Sequence, residues 1–308
     1  MEYSDEQLIL LEKIEELQKS ENLSQNAVAK KIGISATALS QIRKGIYSAN
    51  PDGFFEIISA YFDVKKMAES VYSEVDYADT SISRQVCEII SICQIKGGIS
   101  VIAGDAGIGK TKGVQKFISD HPTNSFLITI NPCLTNIKYL LQEIADKIGA
   151  NQERCVNEIW HSIVKKITDG TVLIFDEAQH LTAKAIEVLR SFSDYFNEKK
   201  QTLGICFVGN IETVSKIGGK KAEFAQITNR TKQKKIFRNT DIQREDICSL
   251  FPLLTAENKQ SEIEFLLQVS RTQQALRGAV NLFSNAYDNE NYTYSGLLAM
   301  ADFMDIKI

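Results

Sequence analysis

Proline is scarce in this chain, with 4 among 308 residues, and tryptophan occurs once. So little proline, with glycine scattered rather than clustered, excludes a long Pro-rich linker and argues against extended disorder. Zinc-binding and redox Cys-x-x-Cys pairs are missing too. The 6 cysteines stand at 87, 93, 133, 155, 206 and 248, and none joins a histidine at zinc-ligand spacing. Most sit among apolar neighbours, so they read as buried, reduced thiols. No apolar run approaches the roughly 20 residues that a membrane-spanning helix needs. The acidic start, Met1-Glu-Tyr-Ser-Asp-Glu, has no signal-peptide pattern. These absences set the expectation of a cytoplasmic protein with no membrane partner.

Strong net charge is also missing: the balance is −4, which does not announce a nucleic-acid binder. The charge is uneven, however. Residues 1–80 are acidic, whereas 216–238 carry Lys216, Lys220, Lys221, Arg230, Lys232, Lys234, Lys235 and Arg238 against the single acid Glu223. That asymmetry says more than the total.

A hydrophobic content of 44% over 308 residues allows two domains or one large domain with an appendage. Leu8, Leu11, Ile14 and Leu17 recur at helical spacing. Ser24 and Ser35 are good N-caps for two short helices, with Gly33 ending the first. Short helices joined by a tight glycine turn predict a helix-turn-helix, with Val28, Ile32, Ile34, Leu39 and Ile42 as its small core. Phe54, Phe55, Ile57, Ile58, Tyr61 and Phe62 predict one further packing helix. We therefore expect an all-α helix-turn-helix domain over 1–64 and a linker over 65–80. Beyond it, apolar strands at 99–103, 126–130, 172–175 and 203–208 alternate with helical segments. That predicts an α/β core over 81–243, a parallel sheet with helices on both faces. After 243 only helical patterns remain, which predicts a C-terminal helical lid over 244–308.

The chemistry begins at the end of the first apolar strand. Gly104-Asp105-Ala106-Gly107-Ile108-Gly109-Lys110-Thr111 is a complete G-x-x-x-x-G-K-T loop, and a helix-compatible stretch opens at Lys112. Glycines at these places let successive N–H groups face a phosphate chain. Lys110 supplies a point charge to the β- and γ-phosphates, and the Thr111 hydroxyl is placed to ligate Mg²⁺. A second motif, Val172-Leu173-Ile174-Phe175-Asp176-Glu177, is an apolar strand ending in two acids. Asp176 is the expected metal partner of Thr111, and Glu177 the group that orients or polarises water. A third strand ends at Gly209-Asn210, where a polar tip could sense a γ-phosphate.

These motifs resemble those of the AAA+ ATPases. More narrowly, the chain resembles the phage Mu B and TnsC/TniB-type target-selection ATPases. It shares their order of helix-turn-helix, Walker A loop, Asp176-Glu177-Ala178-Gln179-His180-Leu181, Asn210, an Arg-containing basic stretch and a helical lid. The resemblance implies ATP as the nucleotide, assembly into a homo-oligomer (a helical filament or ring on duplex DNA), and delivery of that DNA to a transposase. It implies that Asn210 acts as sensor 1, that Arg230 reaches a neighbour's γ-phosphate, and that Arg277 is the lid's sensor 2. Arg230 could instead contact DNA phosphate. The relatives have glycine before Ala-Leu-Arg, where this chain has Gln274.

Two places compete for DNA. In the basic stretch, Lys220 and Lys221 are the individual candidates, with Lys216 and Lys232 beside them, and the scarcity of aromatics there suits duplex tracking rather than base stacking. In the second helix of the helix-turn-helix, Gln41, Arg43 and Lys44 are the candidates, on a domain whose acidity works against a polyanion. A helicase loader and a nucleotide-switched transcription regulator are the alternatives that the same motifs leave open. Base contacts are expected near residues 79–82.

Overall fold

The computed structural model describes residues 3–70, 72, 73, 75–134, 136–217 and 231–307. The chain divides into two compact units, 1–72 and 73–308.

The first unit is helical. Helix α1, Asp5–Ser20, opens on a capping box in which the Ser4 hydroxyl and the Gln7 side chain satisfy each other's backbone N–H. Helix α2, Gln25–Ile32, is capped by Ser24 and stops at Gly33, which adopts φ 85°. Helix α3, Ala36–Arg43, is capped by Ser35. The two serine caps and the left-handed glycine are the elements that the sequence announced. Ile14, Leu17, Val28, Ile32, Leu39 and Ile42 are buried with Phe54, Phe55 and Ile58, while Ile34 is only partly covered. Helix α4 spans Asp52–Ser70 and so continues through 65–70, where the sequence reading began the linker. Lys65, Lys66, Met67, Ala68 and Glu69 are good helix formers with no glycine or proline among them, so nothing local stops the helix.

The second unit is built on a five-stranded parallel sheet, in the order β2-β3-β4-β1-β5. After helix α5, Ser81–Lys96, come β1, Gly98–Gly104, helix α6, Lys110–Asp120, and β2, Ser125–Thr129. Helices α7, Ile137–Ile148, and α8, Val156–Lys166, lead to β3, Thr171–Asp176. A 3-10 turn, Ala178–His180, and helix α9, Ala183–Glu198, precede β4, Leu203–Gly209, and helix α10, Ile211–Ile217. Strand β5, Thr231–Phe237, closes the sheet at its β1 edge. The lid follows as helices α11, Arg244–Leu250, α12, Pro252–Ala256, α13, Gln260–Ser270, α14, Ala275–Asp288, and α15, Tyr294–Phe303.

Strands β1, β3 and β4 are buried along their whole length, which is why they read as continuous apolar runs. Leu173, Phe175, Ile205 and Phe207 join a core with Leu140 and Ile144 of α7, Ile163 of α8 and Leu189 and Phe192 of α9. The single tryptophan, Trp160 on α8, stacks on Phe192 at 5.3 Å, and its Nε1 donates to Ser191 Oγ at 3.0 Å. Strand β5 is the element that the sequence reading missed. Its burial alternates only loosely, and Lys232, Lys234 and Lys235 are exposed, so its charges mask its β-periodicity. Among the described residues no helix is long and apolar enough to cross a membrane.

Candidate nucleotide site and nucleic-acid surfaces

In an open parallel sheet, ligands gather at the carboxyl ends of the strands. Three of the predicted motifs meet there. The 105–109 loop joins β1 to α6, with Gly107 at φ 76° and Gly109 at φ 99°, backbone that a side chain rarely tolerates. Ile108 is fully buried, so its side chain does not line the open face of the loop. The Lys112 side chain turns away, donating to Asp76 O at 3.3 Å.

Lys110 is 9% exposed, and its Nζ donates to the loop carbonyls of Gly104 and Asp105 at 2.9 and 2.7 Å. Burial lowers its pKa, and the carboxylates of Asp176, Glu177 and Asp105 pull the other way. Thr111 Oγ1 donates to Asp176 Oδ2 at 2.8 Å, which brings the two expected metal ligands together. Asp176 is 3% exposed, and burial raises its pKa against the opposing pull of the Thr111 hydroxyl and the Glu177 N–H. Glu177 stands just past the strand at φ 55°, exposed, with its carboxylate accepting from Gln179 Nε2. Asn210 is at the tip of β4, and its Oδ1 accepts from Glu212 N at 2.9 Å, capping α10. The cap uses the oxygen of the Asn210 amide and leaves Nδ2 as its donor.

The lid sits directly on this loop. Arg277 N donates to Gly107 O at 3.1 Å, and a Cβ added at Gly107 would lie 3.0 Å from Arg277 Cβ. Asn239 N donates to Asp105 Oδ2 at 3.0 Å, while Asn239 Nδ2 donates to Thr272 O at 2.5 Å. The lid turn is made at Ala275, φ 55°, while Gln274 is right-handed at φ −72°. The Gln274 side chain packs over Gly278, which has no Cβ to obstruct it. Residues 79–82, the expected base-contacting segment, are pinned to α11: Ser81 N and Oγ donate to the buried Asp246 carboxylate at 2.6 and 2.8 Å. Sequence reasoning assigned no role to Asp246, Asn239 or Gln179. Each is a polar residue with a partner distant in sequence, and nothing in its immediate sequence marks it.

Comparison with known proteins follows the same division. Residues 94–217 match the AAA domain family, and residues 14–65 match the helix-turn-helix family. The chain is 26% identical to the "Mu-like prophage FluMu DNA transposition protein B" of Haemophilus influenzae over 291 residues, 92% of this chain and 97% of that protein. Among solved structures, the ADP form of the Aeropyrum pernix ORC2 protein superposes with a TM-score of 0.53 at 13% identity, covering 75% of this chain and 70% of that one. Cdc6p of Pyrobaculum aerophilum gives 0.51 at 13% identity, over 72% and 65% of the two chains. These two likenesses speak for the fold alone. The chain carries an AAA ATPase domain and a helix-turn-helix domain.

In this ATPase the nucleic-acid candidates fare unevenly. Arg230, Lys220 and Lys221 lie outside the described residues, as does the side chain of Lys216. Lys232 is on edge strand β5, where its Nζ donates to Lys96 O at 2.8 Å and its stem covers Gly98. On α3, Gln41 is half-exposed and Lys44 exposed. Arg43 differs from the expectation. Its Nη1 donates to Gln18 Oε1 of α1 at 3.1 Å, while Nε and Nη2 are buried. Helical phase turns this guanidinium into the domain, so it braces α3 against α1 rather than offering itself to a base.

Proposed function

We propose that this ATPase binds ATP with Mg²⁺, assembles on duplex DNA with little sequence preference, and presents that DNA to a transposase. One observation carries the reading: the similarity to a DNA transposition protein runs almost end to end through both chains, so it includes the helix-turn-helix and the lid as well as the ATPase core. A shared core alone would support only nucleotide hydrolysis.

The donor set fits magnesium. Thr111 and Asp176 offer two hard oxygens side by side, and Mg²⁺ takes one or two protein oxygens while keeping its waters and the phosphates. When bound, the ion would neutralise charge on the phosphate chain. Lys110 would leave the Gly104 and Asp105 carbonyls for the phosphates, a short swing for a flexible ammonium. Glu177 would orient the attacking water, and Asn210 Nδ2 would meet the γ-phosphate. Arg277, held against Gly107, would approach the same phosphates from the lid. Arg230 would reach in from a neighbouring protomer, so the site would be complete only in the assembly.

Electron microscopy of the protein on random-sequence duplex tests this reading, with ATP, with ADP and without nucleotide. Continuous filaments or DNA-bound rings that need ATP are the expected result. Binding to one particular sequence, or ATP-dependent rings that ignore DNA, would overturn it.

A further inference from the structure

We propose that Gln179 is a positioning residue for hydrolysis, whose side-chain amide holds the Glu177 carboxylate in register with the Asn210 tip of β4. The inference rests on Glu177 as the water-orienting group and is independent of the transposition reading.

Gln179 is only 8% exposed, in the 3-10 turn between β3 and α9. The turn itself is fixed by His180 N donating to Glu177 O and Leu181 N to Ala178 O, both at 3.1 Å. Both ends of the amide are engaged. Nε2 donates to Glu177 Oε2. Oε1 accepts from Asn210 N at 3.3 Å and from Thr213 Oγ1 at 3.5 Å. One planar group therefore joins the carboxylate to the peptide that carries the sensor side chain. A buried glutamine that merely satisfied itself would need no exposed carboxylate as partner. Glu177 needs such a partner, because its left-handed backbone leaves its carboxylate at the open end of the sheet with many rotamers available. Gly209 completes the arrangement. A Cβ there would overlap Gln179 Oε1 and Thr213 Oγ1, so the last residue of β4 has no side chain to displace the amide.

The amide donates to Glu177 with one end and accepts from the β4 tip with the other. A shift of Asn210 toward a γ-phosphate would thus be transmitted to the carboxylate, and the water it holds would move with the sensor. Positioning of this kind acts on turnover rather than on nucleotide affinity.

The test is steady-state ATP hydrolysis by the full-length protein, alongside binding of a fluorescent ATP analogue, in three variants. Gln179→Met keeps the volume and removes all three hydrogen bonds. We expect kcat to fall about 10- to 100-fold while nucleotide affinity stays within about twofold. Unchanged kcat, or equal losses in affinity and kcat, would overturn the proposal. Gln179→Glu keeps the acceptor toward Asn210 but replaces the donor to Glu177 with a second carboxylate, so its kcat should fall at least as far as that of Gln179→Met, again with little change in nucleotide affinity. A parent-like kcat in this variant would refute orientation through the hydrogen bond to Glu177. Glu177→Gln separates the premise from the inference. If that variant hydrolyses ATP normally, the role of Glu177 fails; if it is inactive while Gln179→Met is normal, only the role of Gln179 fails.

Discussion

Strands β3 and β5 belong to one sheet and obey different rules. Strand β3 is internal to the sheet, buried on both faces, and ends in Asp176 at the candidate nucleotide site. Strand β5 is at the edge, pairs with β1 alone among the described residues, and carries exposed lysines. A central strand shows itself by apolar continuity, because both of its faces need helices. An edge strand needs charge to discourage pairing with other chains, and lysine is the commonest device. The same lysines that look like a nucleic-acid surface in the sequence thus have a purely structural reason to be there. The contrast teaches that a basic run should be placed in the sheet before it is given to DNA.

The sharpest break in this comparison is at the tip of β3. Asp176→Asn should lower ATP hydrolysis by about 100-fold or more, measured by phosphate release. Without nucleotide the same variant should melt at a higher temperature at neutral pH. The folded-state pKa of Asp176 is raised by burial, so the folded protein resists ionising it. That penalty is absent below the unfolded carboxyl value, grows as pH rises toward the folded value, and is fully present above it. The advantage of Asp176→Asn should therefore shrink as the pH is lowered into the acid range. An advantage that grew with acid would contradict the burial argument.

The middle of the strands gives the next largest effect. Leu173→Ala, in the buried centre of β3, should cost about 2–5 kcal/mol in denaturant unfolding. Lys234→Ala on β5 should stay within about 0.5 kcal/mol. Similar costs at the two positions would erase the distinction between centre and edge.

DNA binding sharpens the contrast further. Replacing Lys232, Lys234 and Lys235 together by alanine should change the slope of log K against log salt by less than about one. Replacing Lys220 and Lys221 should reduce it by about two, since each phosphate contact contributes roughly 0.9. The reverse order would return β5 to the DNA surface.

The smallest effect concerns thiols. Cys206, on β4, is buried and its pKa is pushed well above the usual thiol range, while burial raises Cys93 to about 11. Cys133 and Cys155 are exposed. Alkylation at mildly alkaline pH, followed by mass spectrometry, should modify the exposed pair first and leave Cys93 and Cys206 intact until the core unfolds.

The sequence made the phosphate loop and the acids of β3 legible because their chemistry tolerates few residue types. The serine caps of α2 and α3 were legible for a similar reason, since a helix start asks for a short side-chain oxygen. Strand β5 was illegible because the pattern Lys232-Gln-Lys-Lys has no alternation to read. Arg43 was misplaced because composition cannot show which way a guanidinium turns on a short helix. Gln179 shows no role within its motif, since its partners, Glu177 and the tip of β4, are joined only by the turn that brings them together.

Trp160 gives the protein an optical probe of its own. The only indole in 308 residues stacks on Phe192 of α9, the helix that begins just beyond the turn holding Gln179. Its emission reports the polarity and quenching around that one contact, with no competing tryptophan. Any movement that nucleotide drives through Glu177 and the turn into α9 would register as a change in intrinsic fluorescence, in the unlabelled protein and in real time.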